Sequence, residues 1–219
     1  MLAVESLHVS IGSVVALRGL TLEVPRGRIV GLVGRNGAGK TTLMRTLMGH
    51  LAPTRGRIAF GGRDLLPLAP HARAALGIGY MPEDRGLVPE LTVEENILVP
   101  IWAQSRLVEA ERLAFVYQVI PELVEMRTRR ALLLSGGQQK LVALARALAA
   151  GTRLLLLDEP FEGVAPALSK RLADVIATLK GSDVSVLVAQ SDLHHTRRLV
   201  DDECAIERGA NVRAAASAA

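Results

Sequence analysis

One octapeptide combines the residue types and spacing that bind a polyphosphate. Gly34-Arg35-Asn36-Gly37-Ala38-Gly39-Lys40-Thr41 fits the pattern G-x-x-x-x-G-K-[ST]. Glycines at this spacing let successive backbone N–H groups point at an anion, and the positive end of the following helix adds to the attraction. Lys40 would reach the β- and γ-phosphates of a nucleotide, and Thr41 would place its hydroxyl on Mg²⁺. The octapeptide, together with Thr42, therefore predicts a nucleotide phosphate site.

Two adjacent carboxylates end an apolar run later in the chain. Leu154 to Leu157 has the pattern of a buried strand, Asp158 ends it, and Glu159 follows. An aspartate at a strand terminus beside a phosphate loop can hold Mg²⁺, directly or through water. The next carboxylate can polarise the attacking water as a general base. Solvated acids at a strand exit would show the same pattern, so the prediction of a metal ligand and a base depends on the phosphate loop.

A second candidate anion site lies at the start of another helix. The segment Leu134-Ser135-Gly136-Gly137-Gln138 precedes an apolar helical pattern that extends to about Ala150. Serine is a favoured N-cap, and a glycine-rich helix start leaves backbone N–H groups open to an anion. The chain would then have two phosphate-binding segments far apart in sequence.

Strands and helices alternate along the chain in a way that predicts how these segments are positioned. Strand patterns occur at Arg28–Val33, Ile78–Met81 and Val184–Ala189, and helix patterns at Lys40–Met48 and Ala167–Lys180. Such alternation is typical of a parallel sheet covered on both faces. The stretch from Leu87 to Ala150 has helical texture, with Thr92 to Glu95 as a capping box, and is expected to be a helical insertion between two strands.

Composition narrows the class of protein. The 219 residues are 49% hydrophobic, 22% charged and 3% aromatic, which is a globular composition poor in the rings that stack nucleic-acid bases. Cys204 is the single cysteine and excludes an internal disulfide or a multi-cysteine metal site. The net charge of +4 is scattered, and no apolar stretch approaches the ~18 residues that cross a bilayer. The first ten residues do not fit a signal peptide.

The three motifs, in this order, resemble the ATP-binding subunit of an ABC transporter. That resemblance covers nearly the whole chain and implies an α/β P-loop NTPase fold over residues 1–219, with a parallel core sheet, an N-terminal antiparallel β subdomain and a helical subdomain at about 87–150. It also implies that each ATP lies between the phosphate loop of one chain and the Ser135–Gln138 signature of another. Four shorter segments resemble the second ATPase subunit of branched-chain amino acid importers, whose relatives also transport urea and short amides. These segments are Tyr80–Arg85, Leu91–Asn96, Gly163–Pro166 and Val188–Gln190.

The sequence departs from the family pattern at three positions. Glu83 stands where most of the family has a glutamine that contacts Mg²⁺ and the attacking water, although a carboxylate is also a good ligand for Mg²⁺. Gln190 stands at the switch position that usually carries histidine, and the nearby His194 and His195 are weak substitutes for it. The position near Ile11, where the family usually stacks an aromatic ring on adenine, offers only apolar contact.

The resemblance implies an ATPase on the cytoplasmic face of the cell membrane, bound to integral membrane transporter subunits and to a second ATPase subunit. ATP and Mg²⁺ are the implied ligands, with Thr41, Glu83 and Asp158 on the metal and Glu159 and Gln190 in catalysis. Trp102 would lie where such proteins dock their membrane partner, or would be a packed helix anchor. A soluble ABC ATPase acting on nucleic acid or translation, and a low-turnover regulatory subunit, are the alternatives. The sequence does not specify the solute, the direction of transport, or homodimer against heterodimer.

Overall fold

The strands form one antiparallel and one mainly parallel sheet. The computed structural model describes residues 1–192 and 197–212. The antiparallel sheet contains β1 (Leu2–Ile11), β2 (Val14–Val24), β4 (Arg55–Phe60) and β5 (Arg63–Asp64), in the order β2-β1-β4-β5. The other sheet contains β3 (Ile29–Val33), β6 (Ile78–Met81), β7 (Leu154–Asp158), β8 (Ser185–Gln190), β9 (Asp202–Glu207) and β10 (Ala210–Asn211). Its order is β10-β9-β3-β8-β7-β6, and only the β9–β10 pair is antiparallel. The predicted fold class is confirmed.

The helices divide into those that flank the sheet strands and those inserted between β6 and β7. Flanking helices are α1 (Lys40–Leu47), α2 (Pro70–Ala74) and α7 (Pro166–Ala177). The helices inserted between β6 and β7 are α3 (Val93–Trp102), α4 (Glu109–Val119), α5 (Leu123–Met126) and α6 (Gly136–Ala150). The inserted helices occupy the stretch where the sequence predicts a helical insertion. Within residues 1–192 and 197–212, no helix has the length and apolarity needed to span a bilayer.

Reciprocal caps start the two helices whose N-termini the sequence indicates. The Thr92 hydroxyl accepts from the Glu95 amide, and the Glu95 carboxylate accepts from the Thr92 amide. Ser135 and Gln138 make the same exchange at the start of α6. Each cap satisfies N–H groups that the first helical turn leaves without partners. The local sequence therefore sets where α3 and α6 begin.

Strand β7 separates two apolar cores. Leu155 and Leu157 pack into the core shared with the inserted helices, whereas Leu154 and Leu156 face the core shared with α1 and the antiparallel sheet. Successive strand side chains point to opposite faces, so an all-apolar strand is required where both faces are covered. Asp158 ends this strand at the carboxyl edge of the parallel sheet, the edge at which ligands bind in open α/β folds.

Two predicted boundaries move by one to three residues. Helix α7 ends at Ala177 rather than Lys180, because Thr178 caps it and turns follow. Strand β8 begins and ends one residue later than expected, since Gln190 pairs in register with Val33 of β3. Gln190 is therefore the last residue of the strand rather than the first residue beyond it.

Candidate active site

The phosphate loop, which links β3 to α1, requires glycine at Gly34 and Gly39. Gly39, the N-cap of α1, has φ 112°, a backbone conformation that favours glycine. A Cβ at Gly34 would lie 2.2 Å from the carbonyl oxygen of Ile206 in β9. The loop is therefore pressed against the sheet edge, and its backbone amides are held at the positive end of α1.

Lys40 is buried and joins the loop to the acidic pair. Its Nζ donates to the carbonyl oxygens of Gly34 at 2.5 Å and Arg35 at 3.2 Å. The same Nζ lies 2.9 Å from Glu159 Oε1, and the two side chains are 5% and 8% exposed. A phosphate entering the loop would compete with Glu159 for this cation. The structure thus brings together the lysine predicted to bind phosphate and the glutamate predicted to act as base.

Asp158 is a buried carboxylate, and neither oxygen has a partner at good hydrogen-bonding geometry in the part of the chain that the structure describes, although the Thr41 side chain is close enough to lower its pKa. Burial, with the neighbouring Glu83 and Glu159 carboxylates, raises the pKa of Asp158 to about 6. Burying an ionised carboxylate costs free energy unless a cation or hydrogen bonds compensate its charge. Its surroundings therefore fit a divalent cation.

The oxygen ligands available beside Asp158 suit Mg²⁺ better than a fully protein-caged metal. Thr41 and Glu83 line the cleft next to it. No group of three or more His, Cys, Asp or Glu residues that could hold a metal occurs in residues 1–192 and 197–212. Mg²⁺ typically uses one or two carboxylates together with substrate phosphates. The donor set at Thr41, Glu83 and Asp158 matches that requirement.

Glu159 adopts an uncommon backbone conformation, with φ 48°. Its amide donates to the carbonyl oxygen of Ala189 in β8 at 3.0 Å, and its own carbonyl accepts from the buried Lys140 Nζ at 2.9 Å. A non-glycine residue with positive φ persists only where its surroundings hold it, and such residues cluster at functional sites. The residue after β7 is therefore fixed in place by β8 and α6.

A cleft of about 890 Å³ unites most of the predicted phosphate and acidic residues. From the predicted set it is lined by Asn36, Gly37, Gly39, Lys40, Thr41, Thr42, Glu83 and Glu159. Gly34, Arg35 and Ala38 shape the loop behind this lining through backbone contacts, and Ala38 is buried. The cleft is large enough for a nucleotide, because ligand pockets typically measure ~300–1,000 Å³.

The far wall of the cleft was missed by sequence reasoning. Val14, Val15 and Arg18 come from β2, Glu207 is the last residue of β9, and Arg208 lies in the turn between β9 and β10. The Arg18 amide donates to Gly209 O at 2.7 Å, which brings the two segments together. No local motif marks these residues, since the wall depends on pairing between the two ends of the chain. Ile11 is 49% exposed and is absent from the lining.

Gln190 lies buried at the end of β8, directly beside the start of the phosphate loop. Its carbonyl oxygen accepts from the Gly34 amide at 3.1 Å. Its side chain is 5% exposed but does not belong to the cleft lining. His194 and His195, the alternative donors, lie outside the described residues.

The signature residues are not part of this cleft. Ser135 and Gly136 are exposed at the start of α6, and neither they nor Gly137 and Gln138 line it. Within one chain the structure therefore keeps the two predicted anion sites apart.

A second groove of about 1,050 Å³ adjoins the first. The two share Thr41 and Glu83, and the second extends to Val99 and Pro100 of α3. Trp102, at the end of α3, is 54% exposed. The reading of Trp102 as a packed helix anchor is therefore wrong.

Comparison with known proteins identifies the class to which this site belongs. The ABC transporter family model matches residues 17–162. The high-affinity branched-chain amino acid transport ATP-binding protein BraG of Pseudomonas aeruginosa is 33% identical over 209 residues, covering 95% of this chain and 90% of that protein. The lipopolysaccharide export system ATP-binding protein LptB of Acidithiobacillus ferridurans is 34% identical over 198 residues, covering 90% and 82%.

A solved structure shows the same likeness in three dimensions. The ADP conformation of MJ1267, an ATP-binding cassette of an ABC transporter, superimposes with a TM-score of 0.81 at 27% identity, covering 97% of this chain and 89% of that one. The phosphate loop and the buried Lys40–Glu159 pair fit an ATP-binding subunit, which is also what the matched family model and proteins are. The chain therefore belongs to the ATP-binding subunits of ABC transporters, which are ATPases.

Proposed function

We propose that this chain is the ATP-hydrolysing subunit of an ABC transporter that imports branched-chain amino acids or related small polar solutes. The similarity to BraG supports this solute class, together with the finer segments such as Tyr80–Arg85. The comparable sequence identity to a lipopolysaccharide export subunit supports an ATP-binding subunit of a transporter but not this solute class. The solute itself is chosen by other subunits of such a transporter.

The buried contact between Lys40 and Glu159 carries the catalytic part of the proposal. Nucleotide phosphates would bind the loop amides and the Lys40 ammonium, with these residues as the binding set: Gly34, Arg35, Asn36, Gly37, Ala38, Gly39, Lys40, Thr41 and Thr42. Lys40 would then leave Glu159 for the γ-phosphate. The freed carboxylate orients a water in line with the γ-phosphorus and accepts its proton.

Thr41, Glu83 and Asp158 would hold Mg²⁺ in this proposal. The unsatisfied oxygens of Asp158 support the assignment. When bound, the cation neutralises charge on the transferred phosphoryl group. Gln190 would donate its side-chain amide to a phosphate oxygen, which requires its buried side chain to turn toward the cleft. Histidine could also perform this role, as a cation.

The remaining binding residues would act on another chain. Ser135, Gly136, Gly137 and Gln138 lie outside the cleft of their own chain, which supports a composite site completed by a second ATPase subunit. We also propose that the chain binds integral membrane subunits peripherally at the cytoplasmic face. The second groove and the exposed Trp102 support that docking, because Glu83 borders both the groove and the ATP cleft.

A low-turnover regulatory subunit is the second candidate. The apolar, cleft-excluded Ile11 favours it, because base stacking on an aromatic ring contributes ~1–3 kcal/mol that this chain lacks at that position. The intact Glu159 favours active hydrolysis.

Replacing Glu159 by Gln tests the catalytic proposal. We expect phosphate release to fall by ~10²–10⁴-fold while ATP binding survives, because the general base is lost and the loop is untouched. Size-exclusion chromatography with MgATP should also show a dimer that the wild type forms only briefly. Near-wild-type hydrolysis would remove Glu159 as the base. Binding of ATP by the wild-type chain without turnover, alone or with a partner ATPase, would favour the regulatory candidate.

Recovery of the membrane complex tests the solute. The tagged chain is captured from membranes, its membrane subunits are identified, and ATP hydrolysis of the reconstituted complex is measured with leucine, urea or acetamide and the cognate binding subunit. Stimulation by leucine supports the proposed class, and stimulation by none of the three contradicts it.

A further inference from the structure

Ser191, the residue that follows β8, makes two hydrogen bonds to the Glu159 carboxylate. Its backbone N–H donates to Oε2 at 3.3 Å, and its hydroxyl oxygen lies 2.9 Å from Oε1. Since β8 also holds the Glu159 amide through Ala189 O, one strand end controls both the backbone and the side chain of this residue. No sequence motif singled out Ser191.

The Ser191 hydroxyl also reaches the phosphate loop. Its Oγ lies 2.8 Å from Asn36 Oδ1. A hydroxyl has one proton, and an ionised carboxylate accepts it more strongly than a neutral amide does. Ser191 therefore donates to Glu159. A 180° turn of the Asn36 amide would replace Oδ1 by the NH₂, which could then donate to Ser191 Oγ.

These contacts do not depend on Lys40. Lys40 pairs with the same Oε1 at 2.9 Å, and a γ-phosphate would draw that ammonium away. The carboxylate would then keep its bonds to Ser191, because Ser191 follows β8 whereas Lys40 belongs to α1. Because Glu159 has φ 48°, its orientation needs such outside support.

We propose that Ser191 is a positioning residue for ATP hydrolysis, which holds the Glu159 carboxylate toward the phosphate loop through its hydroxyl and its backbone N–H. The inference rests on the proposed role of Glu159 as the base. Ser191 does not line the cleft, so it acts through Glu159 and not on the nucleotide. Its contribution should therefore appear in the rate of hydrolysis and not in the binding of ATP.

The test compares Ser191→Ala with Ser191→Thr, which keeps the hydroxyl, in the purified full-length chain. A hydrogen bond to a charged group corresponds to about a 10-fold effect. We expect kcat to fall about 10-fold in Ser191→Ala with KM unchanged within about twofold, and Ser191→Thr to recover most of the rate. Ser182→Ala is the matched control, because the Ser182 hydroxyl bonds to Leu179 O, away from the cleft. It should keep wild-type kcat.

A double variant tests whether Ser191 acts through Glu159. Ser191→Ala added to Glu159→Gln should change the residual single-turnover rate by less than about twofold, because no base remains to be positioned. Thermal unfolding of each variant checks the fold. Wild-type kcat in Ser191→Ala, a raised KM with normal kcat, or a full 10-fold loss on top of Glu159→Gln would each overturn the inference. If Glu159→Gln itself hydrolyses ATP normally, the proposed base fails first, and the role of Ser191 fails with it.

Discussion

At the scale of single residues, the site depends on which anion Lys40 contacts. Its ammonium is almost fully buried between two loop carbonyls and Glu159, so it is already ordered for a phosphate. A buried cation of this kind binds its ligand with little loss of side-chain entropy. The same ion pair holds the Glu159 carboxylate against the Lys40 ammonium, so the proposed base is bound to the cation that is proposed to bind phosphate.

Replacing Lys40 by Ala is expected to lower ATP affinity at least 10-fold and to abolish measurable hydrolysis, because the main charge on the phosphate side is removed. Equilibrium binding of a fluorescent ATP analogue and phosphate release measure the two effects. Lys180→Ala is the control, since Lys180 pairs with Asp201 at 3.6 Å outside the cleft. Normal ATPase activity in a folded Lys40→Ala protein would refute the phosphate site.

At the scale of secondary-structure elements, one ion pair joins the inserted helices to α7. The Arg171 guanidinium on α7 donates to both Glu122 carboxylate oxygens, at 2.7 and 2.9 Å, and to Val119 O at 3.0 Å. The hydrogen bonds from Arg171 lower the pKa of Glu122 below its usual value. This bidentate pair links α7 with the end of α4 and the start of α5.

Glu122→Gln is expected to lower the free energy of unfolding at pH 7 by at most about 1 kcal/mol, since the pair is one-third exposed and partly screened by solvent. Because the folded-state pKa is depressed, the stabilisation is full above the unfolded pKa of ~4.3 and disappears as the pH falls through the folded value. Urea unfolding of wild type and variant from pH 7 to pH 3 measures this. Glu125→Gln, an exposed neighbour, is the control. A difference that grows on acidification would contradict the assigned pair.

At the scale of the whole molecule, the cleft and the signature are on separate surfaces. The cleft contains Lys40 and Glu159, whereas Ser135 is exposed at the start of α6 and outside it. An exposed helix start, where the positive end of the helix dipole faces outward, is suited to a phosphate from elsewhere. The proposed composite site therefore predicts complementation between differently damaged chains.

Mixing Ser135→Arg chains with Lys40→Ala chains is expected to restore about one working site per mixed dimer if this chain pairs with itself. The intact loop of the first variant then faces the intact signature of the second. Phosphate release from the mixture, compared with each variant alone, measures the rescue. Absence of rescue would point to pairing with a different ATPase. Loss of ATP binding by an isolated Ser135→Arg monomer would contradict a composite site of either kind.

The local features of this fold could be predicted from short stretches of the sequence. The helix starts at Thr92 and Ser135, the apolar run Leu154–Leu157 of β7 and the glycine spacing of the phosphate loop depend on residues close together in the chain. Capping, strand periodicity and backbone freedom are short-range effects, so their residues could be named in advance. The roles of Glu159, Gln190 and the signature stay predictions.

Contacts between residues far apart in the chain depend on how the strands and helices pack. The Glu159 carboxylate meets Ser191 because β7 and β8, far apart in the sequence, are neighbours in the parallel sheet. The cleft wall joins Arg18 to Arg208 because the Arg18 amide of the antiparallel sheet bonds to Gly209 O, between β9 and β10 of the other sheet. Such pairings follow from strand order and register, which no short segment encodes. The exposure of Trp102 was likewise decided by packing, since an amphipathic ring suits either a core or a surface and only the surrounding elements select one.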